Sequence, residues 1–250
     1  MPYVMEMGRL PGCATKEGTE RYYRRSQYDE FKAFDVHHQH FKSPFDSELK
    51  ITSMGIGSYV GEADDITDFF LYDAIKQSVL SGGINKIDTA PNYRYMKSER
   101  TIGKILTTLH SKYHVNRDEL FVTTKAGYVP EDGQRMVSQR EMIERYIDKG
   151  VPADSFVRES GHCLHPKFLK MSVEESLERL NLQTLDCVYL HNPYEAQAPF
   201  NLDNVVFDRM TQAFEAMEEL VQEGKIKKYG VATYSSLRLK PSETKMHMNI

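Results

Sequence analysis

The chain has 250 residues, 40% hydrophobic and 27% charged, with 32 Lys and Arg against 36 Asp and Glu for a net charge of −4. That composition excludes a disordered or fibrous chain, and the slight acidity leaves no basic footprint for nucleic acid or an anionic membrane surface. Three widely spaced cysteines, Cys13, Cys163 and Cys187, form no C-x-x-C pair, which argues against a disulfide framework or a cysteine-rich zinc site and for a reducing compartment. No run approaches the roughly 20 apolar residues of a membrane span. The expected setting is therefore cytoplasmic, with small molecules as partners. Arg21, Tyr22, Tyr23, Arg24 and Arg25, in a polar leader, leave organelle import open.

Residues 1–50 are polar and aromatic with little period and read as an N-terminal extension, in which 41–49, interrupted by Pro44, suggests a hairpin or strap. Residues 51–56 form a short apolar run ending in Gly55-Ile56-Gly57, a buried strand opening into a tight loop. Leu71, Ala74, Ile75, Ser78 and Val79 then fall on one helical face that stops at Gly82-Gly83. A second unit follows, with a strand at 84–87, a loop through Tyr93, and a helix bearing Ile102, Ile105, Leu106 and Leu109. The third strand is 120–124. Residues 128–170 read as an insertion of mixed polarity with a helix near 138–149, a candidate active-site flap. Ser172 and Glu175 have capping-box spacing ahead of Val173, Leu177 and Leu180. A fourth strand at 185–190 precedes a helix with Met210, Ala213, Phe214, Met217 and Val221, and 226–232 supplies a fifth.

Strands separated by helices build a parallel sheet, wound into a barrel or a doubly wound layer, and both architectures place their chemistry at the carboxyl ends of strands. Asp88, Lys125 and His191 all fall at such ends, with Tyr93 close behind the first. Reducing a carbonyl needs a hydride at carbon and a proton at oxygen. Tyr93 suits the acid, its proton loosened by a neighbouring Lys125 ammonium; Asp88 would hold that ammonium, and His191 would donate a hydrogen bond to the carbonyl oxygen.

Asp88-Thr89-Ala90-Pro91-Asn92-Tyr93 with Ser98-Glu99 and Ile102-Gly103, Thr124-Lys125, Tyr189-Leu190-His191-Asn192-Pro193, and Glu223-Gly224-Lys225-Ile226 with Tyr229-Gly230-Val231-Ala232 stand in an order that resembles the aldo-keto reductase family. The resemblance implies a (β/α)8 TIM-type barrel binding NADPH across its mouth, with Asp88, Tyr93, Lys125 and His191 as catalytic tetrad. It also implies that Ser58, Tyr59, Asp88 and Thr233 lie against the cofactor. Members of the family often carry Ser-Asn where Ala232-Thr233 stands here, and no Lys-Ser phosphate clamp is present.

About five of the eight strand-helix units are counted over residues 51–250, so the expected object is an incomplete barrel with open edges. Such an object implies either a protein partner that completes it or a truncated gene product that holds NADPH weakly, the polar stretch 238–250 reading like a lead into another helix. Two function classes follow: an NADPH-dependent reductase of an aldehyde or ketone, or a catalytically inactive relic or assembly subunit. No metal is expected. His37, His38 and His40 are spaced poorly for one tetrahedral ion, and His162, Cys163 and His165 read as flap lining.

Overall fold

The computed structural model describes residues 8–27, 37–44 and 47–234. Its centre is a parallel five-stranded sheet in the order β3 (Ile56–Gly57), β4 (Lys86–Asp88), β5 (Phe121–Ala126), β8 (Leu185–His191), β9 (Ile226–Ala232). Helices α2 (Asp65–Leu80), α3 (Lys97–Tyr113), α5 (Pro166–Leu180) and α6 (Asp203–Gln222) make the crossovers that parallel pairing requires. This is the α/β architecture of an incomplete (β/α)8 barrel. The polar stretch 238–250 lies outside the described residues.

Period-2 alternation assigns the two faces of the sheet. Thr124 Oγ1 on β5 donates to Glu99 Oε1 of α3 at 2.6 Å, so that face meets the helices; Lys125 Nζ reaches Asp88 Oδ2 across the opposite face at 2.6 Å. Asp88 is in register with Thr123, and Lys125 with Tyr189. Asp88, Lys125 and His191 therefore each sit two residues further along than the in-register partner of the one before. Tilted barrel strands give this rising curve across the mouth.

The apolar run at 51–56 is not one strand. Ile51–Thr52 (β2) pairs antiparallel with Phe41–Lys42 (β1), and only Ile56–Gly57 joins the parallel sheet. Asn85, fully buried, enforces the break: its side chain accepts from Thr52 N at 2.9 Å and donates to the carbonyls of Lys50 and Glu119. Backbone groups that would otherwise pair in a continuous strand are satisfied there instead. Ile51 then packs on Phe121 and Cys187 at the amino-end of the sheet's inner face.

The N-terminal residues contain a helix that periodicity did not announce, α1 (Lys16–Gln27). Thr15 Oγ1 accepts from Gly18 N at 2.9 Å, the bond of an N-cap, and Gly18 approaches the backbone of Asp118 so closely that a Cβ would lie 2.2 Å from its carbonyl oxygen. Tyr22 is fully buried with its hydroxyl 2.8 Å from both the Val79 and Ile84 carbonyl oxygens. Arg21 and Arg25 pair with Asp118 and Glu119. The basic aromatic stretch is thus built into the fold, not a polar leader.

Two further expectations are corrected. The helix beginning at Ser172 by its capping-box spacing starts at Pro166, where proline has no N–H to lose and His165 Nδ1 accepts from Lys167 N at 3.2 Å. Ser172 is interior, and Glu175 accepts from the Tyr146 hydroxyl at 2.7 Å instead of closing a box. Nor is the insertion a flap. Its helix α4 (Gln139–Asp148), capped by Ser138 with Glu141, buries Met142, Ile143 and Tyr146, and the Tyr146 ring meets Phe168 of α5 at 4.9 Å. The main apolar core of the described residues runs from Leu10 to Ile226, beside the smaller cluster of Ile51, Phe121 and Cys187.

Candidate active site

Three strand ends and one turn meet at the carboxyl edge of the sheet. Asp88 ends β4, Lys125 stands one residue before the end of β5, and His191 ends β8. Beyond Asp88 the chain stays tied to β5 through Thr89 N to Thr123 O at 3.0 Å, then turns through Tyr93 N to Ala90 O at 3.1 Å. This turn returns the Tyr93 ring over Lys125, whose Nζ lies 4.8 Å from the ring centroid. The His191 ring stands edge-on to Tyr93 at 5.9 Å and to Tyr128 at 5.0 Å.

The electrostatics follow from these contacts. Lys125 donates to Asp88 Oδ2 at 2.6 Å and to Thr89 O at 2.8 Å, while Asp88 Oδ1 accepts from Thr123 Oγ1 at 2.7 Å. The Lys125 side chain is 7% exposed and that of Asp88 34%, so the pair is only partly removed from water. The expectation that the ammonium lowers the proton affinity of Tyr93 does not hold in this state. Burial, then the Asp88 carboxylate, push the phenol well above its ordinary range. His191 moves the other way, to about 4, by burial and by the nearby Lys125 charge, so its imidazole is neutral at physiological pH.

Tyr93, Lys125, His191, Asn192, Val231, Ala232, Thr233 and Tyr234 line an open cleft of about 330 Å³, at the lower end of small-molecule sites. Thr233 stands at its rim, its hydroxyl donating to Glu195. Tyr59 is exposed at the mouth, its ring edge-on to Tyr93 at 5.0 Å. Ser58 is 1% exposed and donates to Thr89 Oγ1 at 2.8 Å, behind Asp88 and outside the cleft lining. None of residues 129–170 lines the cleft, the positional counterpart of the buried insertion.

Residues to which the sequence assigned no catalytic or cofactor role also shape this mouth. His162, in the hairpin of β6 (Phe156–Val157) and β7 (His162–Cys163), donates from Nε2 to the His191 carbonyl at 2.9 Å and accepts at Nδ1 from Gln197 Nε2 at 3.0 Å. Those roles fix a neutral tautomer, and complete burial holds its pKa down at about 4. Gly127, at φ 138°, makes room for it: a Cβ there would lie 2.5 Å from His162 Nε2. Asn192 sits in left-handed conformation at the cleft, its Nδ2 donating to the Tyr128 hydroxyl at 3.5 Å. The signal for these residues was faint, since Gly127-Tyr128 and His162 fall in a segment without period.

Among the described residues no three His, Cys, Asp or Glu side chains gather as a metal-ligand set. His40 bonds Ser53 Oγ and Gly83 O, His165 caps α5, and the His38 side chain lies outside the described part. No helix of the described residues is long and apolar enough to cross a membrane.

Comparison with known proteins gives a consistent result. The chain is 28% identical over 165 residues to a D-threo-aldose 1-dehydrogenase of Pseudomonas sp, covering 65% of this chain and 44% of that protein. It is 29% identical over 176 residues to the D-arabinose 1-dehydrogenase of Saccharomyces cerevisiae (70% and 39%) and 27% identical over 191 residues to the NADH-specific methylglyoxal reductase of Escherichia coli (74% and 49%). The chain therefore spans less than half the length of these relatives. Among solved structures, an aldo-keto reductase of Bacillus halodurans in its holo form superposes with a TM-score of 0.51 at 24% identity, over 77% of this chain and 50% of that one. The sequence pattern of the aldo/keto reductase family matches residues 53–248. The chain belongs to the aldo/keto reductase family.

Proposed function

We propose that the cleft is the active site of an NADPH-dependent oxidoreductase that reduces an aldehyde or ketone, with Tyr93 as proton donor. The observation that carries this reading is the convergence of Tyr93, a neutral His191 and the Asp88–Lys125 pair on one cleft from separate strand ends. The nicotinamide end of the cofactor suits the cleft by size, and the Asn192 amide and the Thr233 hydroxyl in its lining are polar groups suited to a carboxamide. Tyr59 and Asp88 flank the same mouth, and Ser58 supports it from behind. Among the described residues, Lys125 is the one lysine or arginine of the cleft lining, and it is held by Asp88.

NADPH, when bound there, would supply the hydride that the carbonyl carbon takes up. Tyr93 transfers its hydroxyl proton to the carbonyl oxygen, where negative charge develops. Lys125, fixed by Asp88 and the Thr89 carbonyl, stabilises the phenolate left behind, and solvent returns the proton. His191, neutral, donates its N–H to the same oxygen and orients the substrate. The thiols Cys13, Cys163 and Cys187 are all unpaired, which supports a reducing, cytoplasmic setting.

The names of the relatives direct the choice of substrates: methylglyoxal for reduction and D-arabinose for oxidation, each with both nicotinamide cofactors. Absorbance of the reduced nicotinamide reads the rate. Tyr93→Phe should lower it by about 10²–10⁴ if the phenol is the acid. Equal rates in both proteins refute the role of Tyr93, and no rate in either favours a non-catalytic assembly subunit.

A further inference from the structure

Tyr93 is followed by three consecutive residues in left-handed conformation, Arg94 (φ 50°), Tyr95 (φ 54°) and Met96 (φ 66°), none of them glycine. Each such residue is strained, so the turn persists only where its surroundings over-determine it. Met96 supplies part of that restraint by burying its side chain, and the Tyr95 carbonyl accepts from Gly133 N at 3.1 Å. The strongest restraint is Arg94. Its side chain is 1% exposed, with Nε donating to Glu62 O at 2.7 Å and Nη2 donating to Asp64 O at 3.1 Å and to Asp68 Oδ1 at 2.6 Å.

All three acceptors lie in the neighbouring mouth loop between β3 and the first turn of α2. That loop is tied to the Tyr93 region elsewhere as well. Ser98 Oγ donates to Ser58 O at 2.7 Å, Ser58 Oγ to Thr89 Oγ1 at 2.8 Å, and the Tyr59 ring meets that of Tyr93 at 5.0 Å. The two loops are therefore bonded at both ends, and the planar fork of a buried guanidinium is the link that an ammonium cannot reproduce.

From this geometry we infer that Arg94 is a positioning residue: it bridges the turn carrying Tyr93 to the segment 62–68 and so fixes the phenol over Lys125 with Tyr59 against it. The inference rests on the proposed role of Tyr93. Arg94 is buried and outside the cleft lining; it acts through the residue before it. A strained turn held by a removable clamp also makes glycine an informative substitute, since glycine accepts φ 50° without strain yet carries no fork.

The test uses the full chain with Arg94→Gly and Arg94→Lys. Hydrogen–deuterium exchange of peptides covering 59–68 and 93–97 reads the clamp, and kcat and KM for methylglyoxal reduction read its consequence. In Arg94→Gly, exchange in both segments should rise about tenfold while the rest of the chain is unchanged. Its kcat should fall about tenfold or more with little change in KM, Arg94→Lys lying between it and the wild type. Unchanged exchange at 93–97 overturns the clamp. Looser exchange with unchanged kcat overturns the positioning role. A wild type without reductase activity fails the functional reading instead, and the exchange result then decides the clamp by itself.

Discussion

Lys125 brings a positive charge to the cleft, where Asp88 pairs with it at 2.6 Å. Burial first and the Asp88 carboxylate second hold the Tyr93 proton more tightly than in water. The pH dependence follows in sign. A raised phenol keeps the acid form on the alkaline side, so kcat/KM for reduction should show no alkaline decline below pH 10, the ordinary tyrosine value; a fall centred near pH 8 would contradict it. His162 and His191 carry the opposite perturbation, their folded values near 4 lying below the ordinary 6.5. The unfolded chain then binds more protons between those values, so their contribution is complete above pH 6.5 and is lost as pH falls toward 4. For the fully buried His162 it amounts to about 3 kcal/mol. Urea denaturation at several pH values should show this loss, reduced in His162→Gln; equal pH dependence in both proteins would contradict it. Asp88, Lys125 and His191 were legible because each ends an apolar strand-like run, and Tyr93 because it follows one closely. The contacts of Tyr128, His162 and Asn192 were not, because they come from rings and carbonyls brought together across the fold.

Element boundaries depend on which backbone groups find partners, and this explains where periodicity sufficed and where it failed. α3 was readable because its apolar residues Ile102, Ile105, Leu106 and Leu109 bury one continuous face. α1 has no such face, only Gly18, Thr19, Tyr22 and Ser26 turned inward, and is fixed by ion pairs and by one tyrosine hydroxyl. Tyr22→Phe keeps the ring but removes the hydroxyl from two buried carbonyl oxygens, and should cost about 1–3 kcal/mol. Thermal denaturation measures this directly, and an unchanged Tm would show that the hydroxyl contributes nothing. The start of α5 was misplaced for a related reason: the Ser172–Glu175 spacing is local, whereas Glu175 is claimed by Tyr146 from another helix.

Across the whole molecule, one core joins the N-terminal residues to the sheet: Leu10, Tyr22 and Phe41 belong to the same apolar cluster as Val188 and Ile226. We propose, against a division at residue 50, that the described residues of 8–50 and the sheet unfold as one unit. Deleting residues 1–27 should remove Tyr22 from its site beside Val79 and lower stability by about 3–5 kcal/mol or more, read by denaturant unfolding. Unchanged stability would mark the segment as separable. The alternation of strand and helix was enough to read the parallel sheet, because crossovers of this length permit little else. The register was not readable, since it depends on how far each strand slides against its neighbour. It is this register that brings Asp88, Lys125 and His191 to one cleft. The most direct measurement is the transfer of deuterium from NADPH deuterated at C4 to the carbonyl carbon of methylglyoxal, followed by NMR of the product. The account predicts deuterium at that carbon with the wild-type chain and at least a hundredfold slower incorporation with Tyr93→Phe; incorporation at equal rates in both would contradict it.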